Sequence, residues 1–135
     1  MNKEAILKAN VIYIILVVAF IATFSIFIWD QMSGASTWAD YYSKEISRMI
    51  NNAEPGQKIT IDVHKATEIA RSNSITNYEE IFEFHNEDNT ICVRLSQGRK
   101  TCYTYFNNVM ITNEEIILGR PVNLLEFTIG EKKDE

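Results

Sequence analysis

Few side chains in this sequence have types that could do chemistry. His64 and His85 come first, because imidazole titrates near neutrality and ligates metals. Neither has a second His or Cys at metal-ligand spacing. His64 lies two residues from Asp62 on one strand face, the arrangement of a surface pair. Glu79, Glu80, Glu83, Glu87 and Asp88 are dense, which reads as a solvated acidic face. The turn Asn86-Glu87-Asp88-Asn89 offers oxygens for a weak cation site, although the EF-hand pattern is absent. No G-x-S-x-G, P-loop, H-E-x-x-H or C-x-x-C occurs. The expectation is a non-enzymatic protein with no catalytic residue, no metal ligand and no cofactor, and no small-molecule ligand is identified.

Cys92 and Cys102 are the one pair whose spacing points to a bond. Two β-type runs, Ile91–Leu95 and Arg99–Tyr105, flank Ser96-Gln97-Gly98. A three-residue loop with Gly98 at positive φ sets residue 95 against 99 and Cys92 directly against Cys102. The same register puts Ile91, Val93, Leu95 and Tyr103 on one face. It puts Thr90, Arg94, Lys100 and Thr104 on the other, beside the thiols. Opposed residues of a non-hydrogen-bonded pair lie about 4.5 Å apart at Cα, within disulfide reach. A disulfide implies an oxidising compartment. Arg94, Arg99 and Lys100 cluster at the hairpin tip as a candidate partner contact. A basic tip also keeps an exposed strand soluble.

The elements around these residues follow from hydrophobic period. Trp38, Tyr41, Tyr42, Ile46, Met49 and Ile50 recur every three or four residues, predicting a helix over about Thr37–Asn52 with Asp40, Ser43, Lys44, Ser47 and Arg48 opposite. Glu54-Pro55-Gly56-Gln57 has turn chemistry. Lys58–Val63 alternates as a half-buried strand, and residues 65–72 suit a short helix. Glu80–His85, Val109–Ile111, Ile116–Leu118 and Val122–Ile129 read as further strands. Lys132–Glu135 is a charged tail. The fold class is α+β: an N-terminal transmembrane helix, an amphipathic helix, then a small antiparallel β-sheet domain, drawn as a meander of five or six strands.

The transmembrane assignment rests on Val11–Trp29, nineteen residues without a charge. As a helix the run covers roughly 28 Å, close to a bilayer core of about 30 Å. A buried core helix would keep a polar stripe, and this run has none. A cleaved secretory signal is the better rival, with small residues at Ser33-Gly34-Ala35, but nineteen apolar residues exceed the usual h-region of about 7–15. The chain thus divides into a stub (1–8), a membrane helix (9–30) and an outer domain (31–135). Lys3 and Lys8 precede the helix, whereas Asp30 and Asp40 follow it, which places the N-terminus in the cytoplasm and the domain outside. Setting aside Lys3, Lys8 and Glu4, 11 of the 13 basic and 17 of the 18 acidic side chains remain. That acidic balance argues against a nucleic-acid partner. Membrane lipid is the first expected partner. Ala19, Ala22 and Thr23 form a small-residue face that lets helices approach closely, so a homo- or hetero-oligomer through this helix is the second.

An apolar N-terminal helix, a helical extension and a small sheet with one cross-strand disulfide resemble the type IV pilin-like proteins. The stub ending Lys8-Ala9 looks like the leader of archaeal class III signal peptides. The resemblance implies a cut after Ala9, leaving Asn10 first, and helices that bundle into a filament core. Where the family carries Glu five residues into the mature chain, this chain has Ile14. The function implied is a pilin-like structural subunit of a cell-surface assembly. The alternative is a single-pass anchor presenting an outer binding module to a membrane complex.

Overall fold

A charge-free apolar run satisfies its backbone only by bonding to itself, so a helix is the economical outcome. In the computed structural model, which describes residues 2–32, 34–119 and 121–133, helix α1 spans Lys3–Met32. The helix therefore includes most of the stub assigned to residues 1–8. Ser33 of the small-residue stretch, and Asp134 and Glu135 of the charged tail, lie outside the described residues. Residues 2–29 are exposed throughout, and the helix is long and apolar enough to cross a membrane. Its two small hydroxyls are satisfied internally. Thr23 Oγ1 donates to the Ala19 carbonyl at 2.8 Å and Ser25 Oγ to that of Ile21 at 2.7 Å. Residues 1–33 form one unit and Gly34–Glu135 a second.

The second unit opens with helix α2, Ala35–Asn51. Gly34 caps it in the left-handed region at φ 64°, and a Cβ there would sit 3.2 Å from Trp38 Cδ1. Glycine avoids both the left-handed strain and that close approach. The buried face of α2 is rotated from the expected one. Ala35, Ala39, Tyr42, Ser43, Ile46, Ser47 and Ile50 are buried, while Tyr41 is 52% exposed. The expectation put Ser43 and Ser47 outside because they are polar. Small residues at every fourth position instead let the helix backbone settle closely on strands β3 and β4, described below. Each serine hydroxyl finds a carbonyl, Ser43 that of Asp40 at 3.0 Å and Ser47 that of Thr104 at 3.4 Å. Burial therefore leaves neither serine hydroxyl orphaned.

Among the described residues six antiparallel strands follow, not as one meander but as two three-stranded sheets. The first has the order β1 (Lys58–Asp62), β6 (Leu124–Glu131), β5 (Val109–Ile117). The second has the order β2 (Phe82–His85), β3 (Thr90–Ser96), β4 (Arg99–Thr104). Strand β1 pairs with the last strand rather than with its chain neighbour, because helix α3 (His64–Ser72) leads the chain away. The inner faces meet over one core that includes Ile46, Ile50, Val63, Ile91, Val93, Leu125, Phe127 and Ile129. Each such side chain contributes about 1.5–3 kcal/mol by leaving water. The Phe84 and Phe127 rings, one from each sheet, lie 5.0 Å apart at their centroids.

Two local irregularities depart from the sequence reading. Residues 109–117 form one strand, not two short ones, and the stretch between the two expected strands is a bulge. The register slips by one residue between Thr112 and Glu115, with Asn113 at φ 55°. In the cysteine hairpin the turn is Gln97-Gly98, with Ser96 opposite Arg99 and Gly98 at φ 74°. A compensating slip between Val93 and Ser96 restores the expected pairing further down, so Cys92 still faces Cys102 and Ile91 faces Tyr103.

Candidate functional site: an acidic cleft between two sheet edges

Strands β2 and β5 are the edges along which the two sheets approach each other. The bond from Arg94 N–H to the Ile81 carbonyl, 2.8 Å, sets the ladder phase between β2 and β3. Alternate residues of an antiparallel ladder turn their backbone groups outward, so those of Phe82 and Phe84 project from the free edge of β2. On β6, Ile129 N–H donates to the Gln57 carbonyl at 2.8 Å, on the β1 side. The same alternation leaves Ile111 and, beyond the bulge, Ile116 facing outward from β5.

At one end this gap is closed by a side chain that imitates a strand. Asn86 Oδ1 accepts from Ile111 N–H at 2.7 Å, and Asn86 Nδ2 donates to the Ile111 carbonyl at 3.0 Å. Lys132 Nζ locks the same turn, donating to the Asn86 carbonyl at 2.7 Å and to Asn89 Oδ1 at 2.9 Å. The turn suggested as a weak cation site thus does hold a cation, but it is the chain's own ammonium. At the other end a single 3-10 turn, Tyr78–Glu80, is capped by Asn77 Oδ1 accepting from Glu79 N–H.

Between these ends the edges diverge around a cleft of about 820 Å³. Its apolar lining includes Phe84, Ile116 and Leu125, and its rim carries Glu79, Glu114 and Glu115. Among the described residues none of these three carboxylates is in an ion pair. Glu115 also stands opposite Glu126 on the neighbouring strand, a like-charge pair that costs stability, although Lys58 meets Glu126 at 2.6 Å. Glu83 is neutralised differently. Lys100 Nζ reaches it at 2.7 Å and holds its carboxyl below the usual carboxylate range.

The remaining sequence candidates are scattered. Cys92 and Cys102 stand opposite each other with Cα atoms 4.1 Å apart and sulfurs at disulfide distance, 2.07 Å. Lys100 of the basic cluster is engaged by Glu83, and Arg94 is half-buried, so the tip is less of a free cationic surface than the sequence implied. His85 lies 3.5 Å from Glu83. The expected His64–Asp62 side-chain pair is replaced by a backbone contact, His64 N–H donating to Asp62 Oδ1 at 2.9 Å, which starts α3. No group of three or more candidate metal-ligating side chains occurs among the described residues. Ala19, Ala22 and Thr23 lie exposed on α1. The cleft itself was missed. Its sequence signal was the pair Glu114-Glu115 interrupting an apolar run, between what read as two short strands.

Comparison with protein-family models, curated proteins and solved structures finds no match to this chain. The class that fold and site define is an α+β domain with an open acidic cleft, preceded by one candidate membrane-spanning helix.

Proposed function

We propose that the chain is a non-enzymatic, single-pass membrane protein, a pilin-like structural subunit of a cell-surface assembly. One observation carries this reading: α1 is apolar on every side from Val11 to Trp29 and is exposed along residues 2–29. Such a surface needs lipid or other helices around it. Thr23 has its hydroxyl satisfied by Ala19, so the small face made with Ala22 offers close packing without a polar cost. Lys3 and Lys8 before the span support a cytoplasmic N-terminus. A cross-strand cysteine pair at disulfide distance supports an oxidising, extracytoplasmic setting for Gly34–Glu135.

A second reading, a permanent anchor that presents a binding module to a membrane complex, is favoured by the acidic cleft. The intact mass of the native protein, isolated from membranes of its own host, separates the two. The pilin-like reading expects loss of the first nine residues, by a cut after Ala9. A full-length chain contradicts it and leaves the anchor. Loss of about 33–35 residues marks a secretory signal and overturns both.

A further inference from the structure

The cleft combines three properties. Its walls are strand edges whose outward backbone groups, those of Phe84 and Ile116 among them, have the phase of an unfinished ladder. Its apolar side chains are Phe84, Ile116 and Leu125, and its rim carboxylates are Glu79, Glu114 and Glu115. Strand β2 runs toward the Asn86 stitch, while β5 starts near it and runs away, so the two edges are antiparallel. A strand laid between them would pair antiparallel with one edge and parallel with the other, which a mixed sheet permits.

We propose that this cleft is a strand-addition site for an extended peptide segment in which apolar and basic residues alternate. The period follows from the pleat. Successive side chains of a strand point to opposite faces, so one set would meet the partly buried Phe84 and Ile116 while the other meets the carboxylates. The length follows from the ends. Four residues of β2 lie between the 3-10 turn and the stitch, and at about 3.3 Å per residue they accommodate a segment of roughly four or five residues. The charge follows from the rim. Three carboxylates without an ion pair among the described residues, one of them opposed to Glu126, are relieved by lysine or arginine and aggravated by acidic residues. The occupant is a basic segment of a partner protein, bound through its main chain and selected through alternate side chains. The proposal concerns Gly34–Glu135 alone and stands whether or not the first nine residues are removed.

The test uses the full chain in a non-ionic detergent. A fluorescently labelled hexapeptide alternating valine and lysine is titrated and followed by anisotropy. Three comparisons accompany it: a valine–glutamate hexapeptide, the valine–lysine peptide N-methylated at every valine, and the Glu114→Lys, Glu115→Lys double variant. Saturable binding of the parent peptide is expected, weakened about tenfold or more in each comparison. N-methylation leaves the protein untouched, so a folding defect in the double variant does not obscure the result. Absence of saturable binding by the parent peptide overturns the proposal. Equal binding of the N-methylated peptide overturns strand addition, and equal or tighter binding of the acidic peptide overturns the charge assignment.

Discussion

Asn86 and Tyr105 show how differently two polar side chains serve one core. Ile111 is buried, and both its backbone groups are met by the Asn86 amide. Tyr105 is 1% exposed, and its hydroxyl has no partner among the described residues. Burial accordingly pushes the Tyr105 phenol above its usual range. Losing a partner strands a buried group at a cost of about 1–3 kcal/mol, whereas removing an unpartnered group costs little. Asn86→Ala should therefore destabilise the domain by about that amount. Tyr105→Phe should leave stability unchanged or raise it by up to about 1 kcal/mol. Denaturant unfolding of both variants checks the contrast, and a clear loss in Tyr105→Phe would mean that the hydroxyl is bonded after all. At this scale the sequence was legible where bonds are local. The opposition of Cys92 and Cys102 could be read because alternation and a glycine constrain a hairpin of eleven residues. Asn86 could not, because an asparagine in Asn-Glu-Asp-Asn looks like ordinary turn chemistry and its partner is 25 residues away.

At the scale of elements, period identified nearly every helix and strand, but not always the face or the partner. Helix α2 was expected where it lies, yet its buried stripe is built on Ala35, Ala39, Ser43 and Ser47. Hydrophobicity alone ranks serine as outward. Closeness to the sheet ranks it as inward once Asp40 and Thr104 carbonyls are in reach. Pairing of β1 with β6 joins Lys58 to Thr128 and Asp62 to Leu124, far apart in the chain, and nothing in either strand's own pattern announces it. The bulge at Asn113 splits the expected strand in two because asparagine and glutamates interrupt the apolar residues. Only the continuous partner β6 reveals that the strand carries on. The β3–β4 hairpin carries its own prediction. Its cysteines close a short loop, and such a crosslink contributes about 2–3 kcal/mol, chiefly by restricting the unfolded chain. Reduction should lower the unfolding free energy of the domain by that amount while far-ultraviolet circular dichroism stays native-like. An unchanged midpoint after complete reduction would mean that the crosslink contributes nothing measurable.

For the whole molecule, a helix with apolar residues on every side precedes a domain that satisfies its own core. Nineteen charge-free residues need no tertiary context to be read as a candidate span, so this part was fully legible. The acidic cleft was not, since it exists only where two edges from distant parts of the chain come together. Charge and cysteine chemistry support one orientation: Lys3 and Lys8 inside, Gly34–Glu135 outside. The most direct measurement is protease accessibility in intact cells that express the chain, using a protease that does not cross the membrane and mass spectrometry of the membrane fraction. The expected result is loss of the domain, with the apolar residues 11–29 protected as a small membrane-bound fragment. Protection of the domain together with loss of nothing from outside would contradict the account, and so would recovery of the intact chain in the soluble fraction.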